Sequence, residues 1–212
     1  SVSACQIAAN GKSRGGYTIN LRTPTRQYHK LKLFLAGEHQ AQNAALAVMT
    51  VESLKSFPVK VSDIRRGLAN VRWPGRLDEY PSRRKTLLDG AHNPDAAESL
   101  RRYLVGRKET EIHMVFGAVR DKDIQGIAAL LFTIAAHIYL TPLKNSRSAV
   151  PEEIVAMNKR FRSRMTIHPD MRKALYAAWK QCPPDGLVVV TGSLYLVGEL
   201  LPLVQKHTAT SK

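Results

Sequence analysis

The stretch Trp73–Asp95 reads WPGRLDEYPSRRKTLLDGAHNPD. A proline-glycine turn ends in Arg76, a basic spacer follows, and Thr86-Leu87-Leu88 makes a short apolar strand. After the strand, Asp89-Gly90-Ala91-His92-Asn93-Pro94 leads into a helix. An acid at a strand's carboxyl end, a small residue that lets backbone approach a ligand, and a helix start together form a place for a nucleotide's ribose or phosphates. Chemistry is expected to cluster here.

Downstream, strand patterns alternate with amphipathic helices. The spacing predicts strands at Thr86–Leu88, Glu111–Phe116, His137–Leu140, Met165–Ile167 and Leu187–Val190. Helices are expected at Pro94–Val105, Asp121–Phe132, Pro151–Phe161, Asp170–Gln181 and Leu194–Val204. Such alternation implies an α/β fold with a Rossmann-like, mostly parallel, doubly wound sheet, whose ligands bind beyond the strands' carboxyl ends.

Upstream the pattern differs, which places a boundary near Val71 to Trp73. Gly11-Lys12-Ser13 suggests a phosphate loop, but that loop requires glycine where Gln6 stands and a helix directly after it. Tyr17-Thr18-Ile19-Asn20-Leu21 follows with a period of two, so Gly11 to Gly16 reads as a hairpin turn. From Tyr28 to Leu35, Leu31, Leu33 and Leu35 fall on one face and Lys30 and Lys32 on the other, as in a half-buried strand. Gly37 breaks it, an Ala-rich helix runs to about Ser56, and a short helix, Asp63 to Asn70, is capped by Ser62. Asn43 lies in the first turns of the Ala-rich helix, where a carboxamide can donate and accept as an adenine edge requires; from position alone a plain surface amide fits it better.

The 212 residues are 44% apolar, enough for an ordinary core. With 32 Lys+Arg against 17 Asp+Glu the formal charge is +15, which favours anionic partners. The cations are scattered in twos and threes and the aromatic residues are not interleaved with them, which disfavours nucleic acid. Cys5 and Cys182 lie far apart, so neither a disulfide framework nor a zinc site is indicated. No apolar run approaches the roughly 20 residues that span a bilayer. Without an initiator Met or a charged-then-apolar leader, the chain reads as a cytoplasmic fragment.

Four residue groups fall at predicted strand ends: Asp89 with His92, Gly117 with Arg120 to Asp123, Thr141-Pro142 with Arg147 beyond, and Thr191-Gly192-Ser193. Each has a plain reading. Asp121 can cap a helix, His92 can bond a loop carbonyl, and Thr191 to Ser193 can be a turn plus an N-cap. Convergence of all four on one sheet edge is what indicates a site.

The motifs Gly37-Glu38-His39-Gln40-Ala41-Gln42-Asn43-Ala44, Trp73-Pro74-Gly75-Arg76-Leu77, Asp89 to Pro94, Phe116-Gly117 with Asp121-Lys122-Asp123, and Thr191-Gly192-Ser193-Leu194-Tyr195 add up. In order and spacing they resemble folylpolyglutamate synthase/dihydrofolate synthase, the folate branch of the Mur ligase superfamily. The resemblance implies a central ATPase domain with a phosphate loop, and a carboxyl-terminal Rossmann-like domain that closes over the nucleotide. Residues 1–72 would be the last strands and helix of the former, 73–205 the latter, and 206–212 a flexible tail. Small departures are Asp78, where the family usually shows Glu, and Arg147-Ser148, where it often shows Arg-Ala.

The resemblance further implies ATP contacts at Asn43, Arg76 and Asp89, and catalytic or amino-acid-side roles for His92, Ser193 and Lys122. Mg2+ ligands are expected upstream, with no metal ligand in this chain. Folate or dihydropteroate and L-glutamate would be the partners, and a monomer is expected. The implied reaction activates a carboxylate as an acyl phosphate, from which the glutamate amine then displaces phosphate. Clustered positive charge serves it, because the carboxylate and the triphosphate are both anions. The rival reading is a stand-alone nucleotide- or folate-binding module without catalysis.

Overall fold

The structure, a computed structural model, describes residues 6–13, 16–37, 39–81 and 84–209, of which 6–13 as backbone only. Cys5, Glu38 and the tip of the expected turn, Arg14-Gly15, lie outside the described residues. The chain divides into two compact units, Ser1–Trp73 and Pro74–Lys212.

The first unit holds three antiparallel strands, β1 (Gln6–Ser13), β2 (Gly16–Arg22) and β3 (Gln27–Leu33), with helices α1 (His39–Ser53) and α2 (Val61–Asn70). Ser13 pairs with Gly16 across the hairpin that the sequence predicts. On β3, Leu31 and Leu33 point inward and Lys30 and Lys32 outward as expected, whereas Leu35 falls beyond the strand's end. A plain period of two would turn Tyr28 outward. Instead Leu21 pairs with Tyr28 and Ile19 with Leu31, so Asn20 alone opposes two residues and the strand bulges. Lys30 takes φ 53 there, and its amide donates to Asn20 Oδ1 at 2.8 Å. The bulge brings Tyr28 into a core with Ile19, Leu21, Leu31, Ala45 and Val48. Helix α2 is capped at Lys60, not Ser62: the chain turns two residues earlier, and the Lys60 amide donates back to Asp63 Oδ2 at 3.3 Å.

The second unit runs β4 (Asp78–Tyr80), β5 (Thr86–Leu88), α3 (Pro94–Val105), β6 (Ile112–Phe116), α4 (Ile124–Leu131), β7 (His137–Leu140) and α5 (Pro151–Met157). A 3-10 helix (Lys159–Arg164), β8 (Met165–Ile167), α6 (Met171–Gln181), β9 (Leu187–Thr191) and α7 (Leu194–Ala209) complete it. The six-stranded sheet has the order β4-β5-β9-β6-β7-β8, antiparallel only at the β4 edge. This is the mixed α/β, mostly parallel architecture that the alternation predicts. The edge strand β4 was not anticipated, because three residues, Asp-Glu-Tyr, show no periodicity.

Strand β9 is buried along its whole length, as a parallel strand covered on both faces must be. Leu88, Val115, Val188 and Val190 face α6 and α7, through Leu175, Ala178, Leu196 and Leu200. On the opposite face Phe116 meets Phe132 edge-on at 5.1 Å, and Phe132 meets Phe161 at 5.9 Å. Three expectations shift. The helix expected over Pro151–Phe161 ends at Met157, where Asn158 turns and donates to the Ile154 carbonyl at 2.9 Å. Helix α4 starts late, capped by Asp123 and not Asp121, with the Gly126 amide on Asp123 Oδ1 at 2.8 Å. Helix α7 runs on to Ala209, into the stretch expected to be a flexible tail; Thr210 to Lys212 lie outside the described residues.

Candidate functional site

Because β5, β9, β6 and β7 run parallel, their carboxyl ends share one edge of the sheet. Helix α3 leaves β5 and α7 leaves β9 on opposite faces, so the chain parts between these neighbours and opens a crevice. Asp89, Gly117, Thr141 and Ser193 sit along this edge. A row of backbone bonds ties it: Asp89 N to Val190 O at 3.0 Å, Gly192 N to Ala91 O at 3.1 Å, and Thr141 N to Phe116 O at 3.1 Å.

Asp89 is only 6% exposed. Its Oδ2 accepts from the Leu77 amide and its Oδ1 from the Ala91 amide, both at 2.9 Å. The Gly90 amide donates to the Gly75 carbonyl at 2.8 Å. The strand end thus clamps the turn that carries Arg76, in which Gly75 (φ 76) and Leu77 (φ 46) are both left-handed. Glycine suits the first; the second is strained for leucine and is held by the Asp89 bond and by burial of its side chain. Burial pushes the Asp89 carboxyl up, against the two amide bonds and the positive charge of Arg76. Arg76 is half-buried, and its guanidinium forms no hydrogen bond or ion pair among the described residues.

Gly90 admits the start of α7: a Cβ there would collide with the Leu194 side chain. At Gly192 (φ 102) a Cβ would meet the Phe116 ring at 2.7 Å and the Gly117 carbonyl at 2.8 Å. Asn93 caps α3, accepting from the Ala96 amide at 2.8 Å, with Pro94 in its first turn. His92 Nδ1 lies 2.8 Å from the Gly90 carbonyl, the loop bond its plainer reading expects. That contact places the proton on Nδ1 and leaves Nε2 able to accept.

Ser193 is buried, and its Oγ accepts from the Tyr195 amide at 3.1 Å, so its hydroxyl is a helix cap. Lys122 sits half-buried in the turn after β6, and its ammonium forms no bond among the described residues. Asn43, in the first unit, is exposed on α1 and donates to Gln40 Oε1 at 3.2 Å, leaving its own oxygen free to accept.

Two features escaped the sequence. Arg147, flagged only as lying beyond β7, reaches Tyr195 Oη at 2.9 Å and lies 3.9 Å from Asp121 Oδ2, so it links the loops after β6 and β7 to α7. Thr191 Oγ1 is buried without a hydrogen-bond partner among the described residues, at the end of the central strand. Neither signal is local in the chain, since each depends on which strands become neighbours.

The Mur ligase, glutamate ligase domain family matches residues 75–194, more than half of the chain and the whole of this edge. The chain belongs to the Mur ligase family. Its relatives include the dihydrofolate synthase/folylpolyglutamate synthase of Bacillus subtilis, 29% identical over 201 residues, covering 93% of this chain and 46% of that protein. The folylpolyglutamate synthase of Lacticaseibacillus casei is 31% identical over 169 residues, covering 78% of this chain and 38% of that one. Among solved structures, Mycobacterium tuberculosis folylpolyglutamate synthase complexed with ADP superposes with a TM-score of 0.87 at 28% identity, over 95% of this chain and 48% of that one. This Mur ligase chain spans less than half the length of the curated relatives named here.

Proposed function

We propose that this chain is the carboxyl-terminal part of a folylpolyglutamate synthase/dihydrofolate synthase, which joins L-glutamate to folate or dihydropteroate at the expense of ATP. The observation that carries the reading is the Asp89 clamp, which holds the turn that carries Arg76 at the crevice of a glutamate ligase domain. The groups there suit a nucleotide polyanion: Arg76 and Lys122 are cations without a partner among the described residues, and Gly90 and Gly192 lack side chains. Among the described residues no group of three or more His, Cys, Asp or Glu could hold a metal ion, and we assign the Mg2+ ligands to parts of the relatives that this chain does not span.

ATP would supply the phosphoryl group that turns a carboxylate into an acyl phosphate. Arg76 lowers the repulsion between the two anions, and Lys122 adds charge from the next loop. Asp89 acts through the turn it holds, with its remaining acceptor capacity open to a ribose hydroxyl. His92, with Nδ1 fixed on the Gly90 carbonyl, offers Nε2 to the incoming amine. Ser193 is a positioning residue that sets the start of α7. Asn43 offers a carboxamide to an adenine edge.

The test is Arg76→Ala in the full-length enzyme. Turnover falls more than about tenfold while the melting temperature holds, as expected for loss of a charge used in the transition state. A variant with wild-type turnover would remove Arg76 from the mechanism.

A further inference from the structure

The first unit holds a cavity of about 300 Å³ that plays no part in the proposed reaction. It lies between the β2–β3 turn, the carboxyl end of α1 and the segment leading into α2. One wall is apolar, made by Leu54, Phe57, Pro58, Val59 and Ile64, and Phe57 is 70% exposed. A large ring left in water beside a concavity is a poor resting place unless something covers it.

Glu52 stands in the same cavity. Its Oε1 accepts from Tyr28 Oη at 2.8 Å and Thr23 Oγ1 at 3.1 Å. Burial pushes its carboxyl up, but the hydroxyls of Thr25, Tyr28 and Thr23, with the charge of Arg26, outweigh burial and leave it lowered, so the group is a carboxylate. Arg26 acts on it from beyond ion-pair distance, and no cation among the described residues lies within that distance. Arg26 and Lys55 line the cavity as well, and neither is ion-paired there.

One carboxylate, two cations and an apolar wall in one small space define the ligand. A bare amine would meet Glu52 but also two like charges, and a bare acid would meet the cations but also Glu52. A zwitterion satisfies both, its ammonium on Glu52 and its carboxylate between Arg26 and Lys55, with a side chain against Phe57 and Val59. The volume lies at the low end for small-molecule sites, which suits one amino acid and little more. We propose that this cavity is a second binding site, distinct from the sheet-edge crevice, and that it takes a free apolar or aromatic α-amino acid.

Calorimetric titration of the 212-residue chain with L-phenylalanine and L-leucine tests this. The proposal expects saturable binding below about 10 mM. It also expects at least tenfold weaker binding of phenethylamine and of 3-phenylpropionate, each of which lacks one of the charges. Lys55→Ala, at an exposed position, should weaken L-phenylalanine at least fivefold, and Val59→Trp, which fills the cavity, should abolish binding with the melting temperature retained. Glu52→Gln should weaken binding at least tenfold where the variant folds. No saturable binding of either amino acid, equal binding of the single-charge analogues, or full affinity in Val59→Trp would each overturn the assignment. ATP binding at the crevice is read separately, so failure here leaves the ligase reading standing.

Discussion

The amide of Leu77 donates to the buried carboxylate of Asp89 at 2.9 Å, and through this bond the end of one sheet strand sets the position of the turn before it. A second amide, that of Ala91, uses the other oxygen. The carboxylate is therefore a bracket before it is a ligand.

Asp89→Asn keeps the shape but turns one acceptor into a donor, which leaves a buried amide facing an N–H. The expected loss is about 1–3 kcal/mol of stability. Urea unfolding of the chain measures it. In the full-length enzyme the Michaelis constant for ATP should also rise, because the Arg76 turn loosens.

Gly90→Ala places a methyl group against Leu194. Overpacking of this kind costs about 1–3 kcal/mol. The double variant Gly90→Ala/Leu194→Ala should recover at least half of that loss, since Leu194 is 47% exposed and shortening it opens little buried space. Denaturation midpoints of the single and double variants decide it; equal midpoints would show that the helix start does not press on the strand end.

Arg107 binds Glu109 at 2.8 Å and Glu79 at 3.1 Å, which ties β4 to the loop after α3. The Arg107 guanidinium brings the Glu109 carboxyl down to about 2. A depressed carboxyl contributes stability that is present above its unfolded value and is lost as pH falls through the folded one. The stability curve should therefore drop between about pH 4.5 and pH 2. Glu109→Gln should flatten that limb and cost on the order of 2 kcal/mol at pH 7.

His113, His137 and His168 line up on neighbouring strands, where Glu111, Tyr139 and Asp170 also face them. Burial lowers His137, with help from His113 and His168, and burial lowers His168. Both are neutral in the fold, so the stability they confer is full above about pH 6.5 and falls as pH drops toward their lowered values. The urea midpoint should decrease from pH 7.5 to pH 5.5, and the His137→Gln/His168→Gln variant should show a smaller decrease.

The parallel sheet was legible because its strands and helices alternate at lengths that only a crossover topology accommodates. Asp89 and His92 were found for the same reason, as polar residues just past apolar strands. What escaped was set by the third dimension. The β3 bulge depends on Asn20 bonding a backbone amide across the pair, and no periodicity records that. The cap bond of Ser193 to the Tyr195 amide depends on the left-handed turn at Gly192, which no periodicity records either. Arg147 could be tied to Tyr195 only once β7 and α7 were placed.

Strand β9 lies between β5 and β6, yet it follows every other strand of its sheet in the sequence. Until residues 187–191 emerge, β5 with its β4 partner has no neighbour on its inner side, and β6, β7 and β8 wait as a separate three-stranded patch. The second unit therefore closes only once residues 187–191 are made, in one step that slots the central strand home. Any chain that stops short of Leu187 is left with two half-sheets and nothing to join them.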